Sequence, residues 1–196
     1  MPERALDRAW YTGDPRQIAP RLLNQVLVHD APAGRLSGRV VEAEAYLLHG
    51  DPGSHAFRGQ TRRNATMFGP PGHLYVYFTY GMHWCANVVT GEGAVLLRAL
   101  APLEGIPEMW SRREKARRER DLCSGPGRLT QALGLNGAHD GTDLVAGTVR
   151  FFGDGRPPPA VPGVSVRIGL TPGKGDESPW RWYVPGDPNV SASPRR

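Results

Sequence analysis

The chain has 196 residues, 39% of them hydrophobic, and 24 Lys and Arg against 19 Asp and Glu give a formal net charge of +5. That length makes one domain with a core of its own the default, while 25 Gly and 19 Pro favour many turns over long helices. An isoelectric point near 9.6 suits a polyanionic partner, nucleic acid first and an acidic membrane surface second. No apolar run approaches membrane-spanning length, and the polar N-terminus is no signal peptide. Nearly all the positive charge is arginine, since Lys115 and Lys174 are the only lysines. Cys85 and Cys123 form neither a disulfide framework nor a zinc spacing, which fits a reduced, cytosolic compartment.

Met1–Tyr11 reads as an exposed lead-in. Asp14-Pro15-Arg16-Gln17 resembles a capping box with proline at the first helical position. Pro20 keeps the helix short, to about Leu23, with Asn24 as a left-handed stop. A strand over Gln25–His29, a turn and a longer strand over Leu36–Leu47 follow. In that longer strand a period of two puts Glu42, Glu44 and Tyr46 on one face and Val41, Ala43 and Ala45 on the other. Two acids and an aromatic on one face are either a solvated surface or the lining of a cleft, where desolvation tunes a carboxylate for base work.

Leu48–Pro71 is loop-rich. Thr61 could cap a helical turn there, with Arg62 and Arg63 beside free N–H groups that suit a phosphate. His49, His55, His73 and His83 lack a compact ligand spacing, so no metal is expected. His73–Val89 reads as one hairpin whose strands are rich in Tyr, Val, Phe and Trp and whose turn holds Tyr80, Gly81, Met82 and His83. Tyr75, Tyr77 and Thr79 share one face, Leu74, Val76 and Phe78 the other. An aromatic at such a tip suits a wedge for DNA.

Ala94–Leu100 is an apolar strand broken by Arg98, which needs an acidic partner, Glu44 or Glu42. Pro102–Asp121 begins as a helix with Ile106, Met109 and Trp110 on one face and fades into an Arg- and Glu-rich segment that is a solvated face, an exposed loop or a DNA-facing edge. Leu122–Leu135 is a turn and a helix with a glycine-rich start that can also hold a phosphate. Strands over Val145–Phe152, Val164–Leu170 and Trp180–Val184 complete a single α+β domain (residues 1–196) with a mixed, predominantly antiparallel sheet, and Asp187–Arg196 is tail-like.

The ordered segments VVEAEAY, GSHAFRGQTRRNATMFGPPGHLYVYFTYGMHWCANVV, VLLRALAPLEG and LCSGPGRLTQALG, with the later RIG and PWRWYV, resemble the alkyladenine (3-methyladenine) DNA glycosylase family. Arg62 stands where that family usually carries proline, and Asn24 where it usually carries glycine. The resemblance implies a curved sheet with short helices and a protruding hairpin, similar to the C-terminal domain of methionyl-tRNA formyltransferase. It implies a monofunctional enzyme of base excision repair that flips an alkylated or deaminated purine out of duplex DNA and cuts its N-glycosidic bond with water. Glu44 would be the general base, with Arg98 holding it and the water. Tyr46, His55 and Tyr77 would sandwich the base, and Asn87 would lie at the purine edge. Tyr80 would fill the gap in the duplex, flanked by Met82 and His83, with Arg62 and Arg63 on phosphates. The partner would be damaged double-stranded DNA, bound by a monomer without cofactor or metal, in the cytoplasm at the nucleoid if the source is bacterial.

Two alternatives remain at this level. A glycosylase–lyase needs an amine nucleophile, and Pro2, exposed by removal of Met1, would be its candidate. A non-catalytic nucleic-acid-binding module on the same scaffold is the other.

Overall fold

The structure, a computed structural model, describes residues 4–191. Pro2, the candidate lyase nucleophile, and the last five residues of the tail lie outside them. The described chain is a single α+β domain built on one sheet.

Nine strands contribute to the sheet: β1 (Arg4–Ala5), β2 (Val26–Ala31), β3 (Gly34–Leu47), β4 (Leu74–Thr79), β5 (His83–Val89), β6 (Gly93–Glu104), β7 (Val149–Gly153), β8 (Gly163–Ser165) and β9 (Arg181–Tyr183). Their order is β1-β7-β2-β3-β6-β5-β4, with β9 joining β3 beside β2 and carrying β8. Every strand pair among these is antiparallel. The helices are α1 (Pro15–Leu22), α2 (Ile106–Arg112) and α3 (Pro126–Leu133).

The long strand β3 is the spine. Its first half pairs with β2, its second half with β9, and β6 runs along its other edge. The β3–β6 register shifts around Glu42, skipping Val41 on one strand and Arg98 on the other. Such irregularities re-aim side chains next to functional sites. Here they fall where Arg98 meets Glu42 and Glu44.

Asp14 accepts the Arg16 N–H at 2.8 Å and Pro15 occupies the first turn, so α1 starts where the capping signal lies. Pro20 sits inside the helix, which ends at Leu22, and Asn24 takes φ +67°. Ile18, Ala19 and Leu22 of α1 join Leu129, Ala132 and Leu133 of α3 and the apolar residues of the central strands in the main core. Leu74 and Val76 face that core. Tyr75 and Tyr77, on the other face of β4, join a smaller cluster with Ala56, Met67, Val89 and Ala94.

Several boundaries depart from expectation. The lead-in is tied down from Arg4 onward: β1 pairs with β7, and Tyr11 is fully buried against Trp10 and Phe151. The tail is likewise fixed through Ser191, whose N–H donates to Glu42 Oε2 at 2.7 Å. No helix spans Pro102–Asp121. Strand β6 continues to Glu104, and Gly105 at φ +70° ends it, with a Cβ there falling 2.3 Å from Leu36 Cδ2. Only Ile106–Arg112 is α-helical, and a 3₁₀ turn follows at Glu119–Asp121. Thr61 is not a helix cap. Its N–H and Oγ1 both donate to Asn64 Oδ1, and the helical turn forms later, at Ala65–Phe68. No helix among the described residues is long and apolar enough to cross a membrane.

Candidate active site

The two acids on β3 have separate surroundings. Glu42, fully buried, accepts from Arg98 Nε (2.9 Å), Arg181 Nε (2.6 Å), and the N–H (2.7 Å) and Oγ (2.9 Å) of Ser191. Its two oxygens together accept four hydrogen bonds, three on Oε1 and one on Oε2. Glu44, also fully buried, accepts the Ile168 N–H on Oε1 at 2.7 Å, and on Oε2 the Tyr46 hydroxyl at 2.9 Å and Arg98 Nη1 at 3.3 Å. Burial pushes the Glu44 carboxyl above its ordinary value, against the pull of Arg98, the Ile168 N–H and the Tyr46 hydroxyl.

Those three donors all line one cavity of about 290 Å³. Glu44 itself is not part of the lining and lies directly behind these three residues. The rest of the wall is aromatic and mostly neutral: His55, Met67, Tyr75, Tyr77, Cys85, Asn87 and Leu96 contribute. The His55 and Tyr77 rings meet edge-on at 4.3 Å, and Tyr75 and Tyr77 stack at 5.3 Å with a 32° tilt. The Tyr75 hydroxyl lies 3.3 Å from His55 Nδ1. Desolvation by these neighbours, with the Arg63 charge second, pulls the His55 imidazole below its ordinary value, although one edge of the residue is open to solvent. Burial raises Tyr75 to about 12 and lifts Tyr46 and Tyr77 further, so all three keep their protons. Asn87 is fixed by donating Nδ2 to the Tyr75 carbonyl at 3.0 Å.

At the hairpin tip Tyr80 is 79% exposed and Met82 66%. Tyr80 and Gly81 have φ of +51° and +66°, and the Met82 N–H closes the turn on the Thr79 carbonyl at 3.1 Å. A left-handed conformation is cheap for Gly81 and costly for a tyrosine, on the order of 1–3 kcal/mol. Tyr80 also borders the cavity, so pocket and tip adjoin. His83, exposed, packs its ring on Gly127 at the start of α3, where an added Cβ would come within 2.9 Å of His83 Cγ.

Beyond His83 runs a basic groove bordered by Arg113, Lys115, Arg117 and Arg128, which shares Pro126 with the cavity. Arg63 is exposed but spends Nη2 on the Phe78 carbonyl at 2.6 Å, bracing the hairpin, and Arg62 is exposed beside it. Neither lysine lines the cavity.

The structure therefore brings Arg98, Tyr46, His55, Tyr77 and Asn87 to one cavity with Glu44 behind it, sets Tyr80 at the cavity's border, and leaves Met82, His83, Arg62 and Arg63 exposed on the surface. Sequence reasoning did not assign Tyr75, Ile168, Met67 or Leu96 to the wall. Tyr75 was within reach, being on the Tyr77 face. The Ile168 contact is made by a backbone N–H and leaves no side-chain signal.

A buried carboxylate behind an aromatic cavity, next to an exposed aromatic tip and a basic groove, defines an enzyme acting on a nucleic-acid base. Residues 9–188 match the family model described as methylpurine-DNA glycosylase (MPG). A Burkholderia cenocepacia protein named "Putative 3-methyladenine DNA glycosylase" is 50% identical over 98% of this chain and 93% of its own length. Proteins of the same name from Chlorobaculum tepidum (48% identical, covering 89% of this chain and 84% of theirs) and Streptomyces avermitilis (45%, 100% and 97%) are similar along the chain. The chain belongs to the methylpurine-DNA glycosylase family, and it is a DNA glycosylase, an N-glycosyl hydrolase of base excision repair.

Proposed function

We propose that this chain excises alkylated purines, 3-methyladenine among them, by flipping the damaged nucleotide into the Tyr46–His55–Tyr77 cavity and hydrolysing its N-glycosidic bond with a water activated by Glu44. The observation that carries this reading is the seat of Glu44: a buried carboxylate whose three donors come from residues that line the aromatic cavity.

The chemistry follows from that seat. As the bond between C1′ and the base nitrogen lengthens, the sugar gains positive charge and the electron pair moves onto the base. An ionised Glu44 stabilises that charge. A water held between Tyr46 and Arg98 attacks C1′ and gives its proton to Glu44 Oε2, leaving an abasic sugar and the free base. A cationic alkylated purine leaves as a neutral molecule and needs no further proton. It also stacks well between electron-rich rings. Extruding a nucleotide costs a few kcal/mol, and each base–aromatic stack returns roughly 1–3 kcal/mol.

Tyr80, already exposed in the extended tip, fills the vacated position in the duplex, with Met82 and His83 against the neighbouring base pairs. Arg62 and the groove of Lys115, Arg117 and Arg128 carry the flanking phosphates. Cavity, wedge and groove come from one chain, so one copy serves one lesion. The test is base release from duplexes carrying 3-methyladenine, 7-methylguanine, hypoxanthine or ethenoadenine, with alkaline cleavage to reveal abasic sites. Release of an alkylated purine without borohydride-trapped protein–DNA adduct is expected. No release from any duplex, or a trapped adduct, overturns the reading.

A further inference from the structure

Against Tyr46, outside the residues that line the cavity, lies a further buried ion pair with no part in the proposed reaction. Arg167 and Asp51 are joined bidentately, Nη1 to Oδ2 at 2.7 Å and Nη2 to Oδ1 at 2.8 Å, and both side chains are fully buried. The guanidinium lies between two rings, its carbon 4.5 Å from the centre of Tyr46 and 4.9 Å from that of Trp180.

The remaining hydrogen bonds of the pair all go to backbone. Arg167 donates to the carbonyls of Ala45 (3.0 Å) and Gly175 (2.9 Å), and Asp51 accepts the N–H groups of Leu47 (3.1 Å) and Gly53 (3.0 Å). Two glycines make room for it. A Cβ on Gly53 would fall 2.9 Å from Arg167 Nη2, and one on Gly175, at φ +74°, would fall 2.6 Å from the same atom. Apart from Gly175, each segment so tied carries a wall residue: Ala45 and Leu47 flank Tyr46, Gly53 precedes His55, and Arg167 itself precedes Ile168.

A buried ion pair is a poor device for stability alone, because well-packed apolar residues often do as well. Among the described residues nothing accepts from the buried Arg167 Nε. What a planar, forked cation supplies and an apolar side chain does not is fixed geometry in several directions at once. We infer that Arg167, locked by Asp51, is a positioning residue for base release: it sets the plane of the Tyr46 ring and the place of the Ile168 N–H that holds Glu44. This rests on the function proposed above. The Ile168 donor and the Arg98 charge both favour the ionised form of Glu44, so a displaced Ile168 raises the pH at which Glu44 ionises.

The test compares wild type with Arg167→Met, Arg167→Lys and Asp51→Asn, and with Val149→Ala, a buried change in the main core far from the wall. Single-turnover release from a 3-methyladenine duplex is followed across pH under conditions where each protein is folded by circular dichroism. Binding to undamaged duplex and urea unfolding are measured alongside. Arg167→Met is expected to slow release on the order of tenfold to a hundredfold, to move the acidic limb of the rate profile to higher pH, and to leave undamaged-duplex binding unchanged. Arg167→Lys keeps the charge without the fork and recovers only part of the rate. Asp51→Asn shows the same two effects in smaller measure and carries the test if Arg167→Met does not fold. Wild-type rate and limb in the variants overturn the positioning role, as does an equal rate loss in Val149→Ala at equal loss of stability. A wild-type chain that releases no base overturns instead the activity on which the inference rests.

Discussion

Glu42 and Glu44 sit two residues apart on one strand, both fully buried and both bonded to Arg98. Glu42 is enclosed by two arginines and both polar groups of Ser191, with nothing left to react. Glu44 has one arginine, one hydroxyl and one backbone N–H, each of them also part of the cavity wall. Burial alone does not make a carboxylate reactive. What distinguishes the two is whether the donors around them can face a substrate.

Substitution should separate them cleanly. Glu44→Gln keeps the shape but cannot take a proton, and base release should fall about 10²–10⁴-fold while the variant still binds damaged duplex. Its stability should hold or rise, because the raised Glu44 pKa means that folding opposes its ionised form at neutral pH. Release at the normal rate would remove Glu44 from the mechanism. Glu42→Gln should do the reverse. Leaving Arg98 and Arg181 without their shared counter-charge should cost about 3–5 kcal/mol in urea unfolding. Equal stability losses at the two positions would erase the distinction.

Acid should act on the two functions differently as well. In the proposed mechanism Glu44 works ionised, and burial holds its carboxyl above the ordinary 4.5, so release should decline on acidification already above that pH. The measurement is a single-turnover pH profile, and a limb at or below the ordinary value would contradict the desolvated seat. The smallest effect is expected at the hairpin tip. Tyr80→Gly removes left-handed strain of about 1–3 kcal/mol but adds glycine's own entropic cost of about 0.5–1 kcal/mol, so stability should hold or rise, by no more than about 2.5 kcal/mol. Base release should fall all the same, through lost flipping. A variant both less stable and fully active would mean that the tip conformation serves the fold.

Much of this was legible from residue order. The period-two pattern of β3 placed Glu42, Glu44 and Tyr46 together, the single charge within Ala94–Leu100 named Arg98 as a partner for Glu44 or Glu42, and the aromatic turn marked Tyr80. Local signals located α1, through Asp14 and Pro15, and the stop at Asn24. The failures were tertiary. Tyr11 and Ser191 lie near the chain ends, where low local pattern reads as exposure, yet one fills the core and the other closes the Glu42 cage. Gly105 ended a strand that apolar content alone would have run into a helix, because only the approach of Leu36 shows why it is glycine. The Arg167–Asp51 pair joins positions 116 apart and touches backbone throughout, a relation that no periodicity encodes.

The Ser191 contact also bears on timing. Its N–H reaches Glu42 across 149 positions, and Ile168 reaches Glu44 across 124. During synthesis the spine strand emerges early, with both carboxylates on it, and waits for most of the chain before either is enclosed. Contacts this distant in sequence form late. A chain that stops short of Ser191 therefore keeps all three Glu44 donors and the residues of the cavity wall, and lacks both Ser191 donors to Glu42.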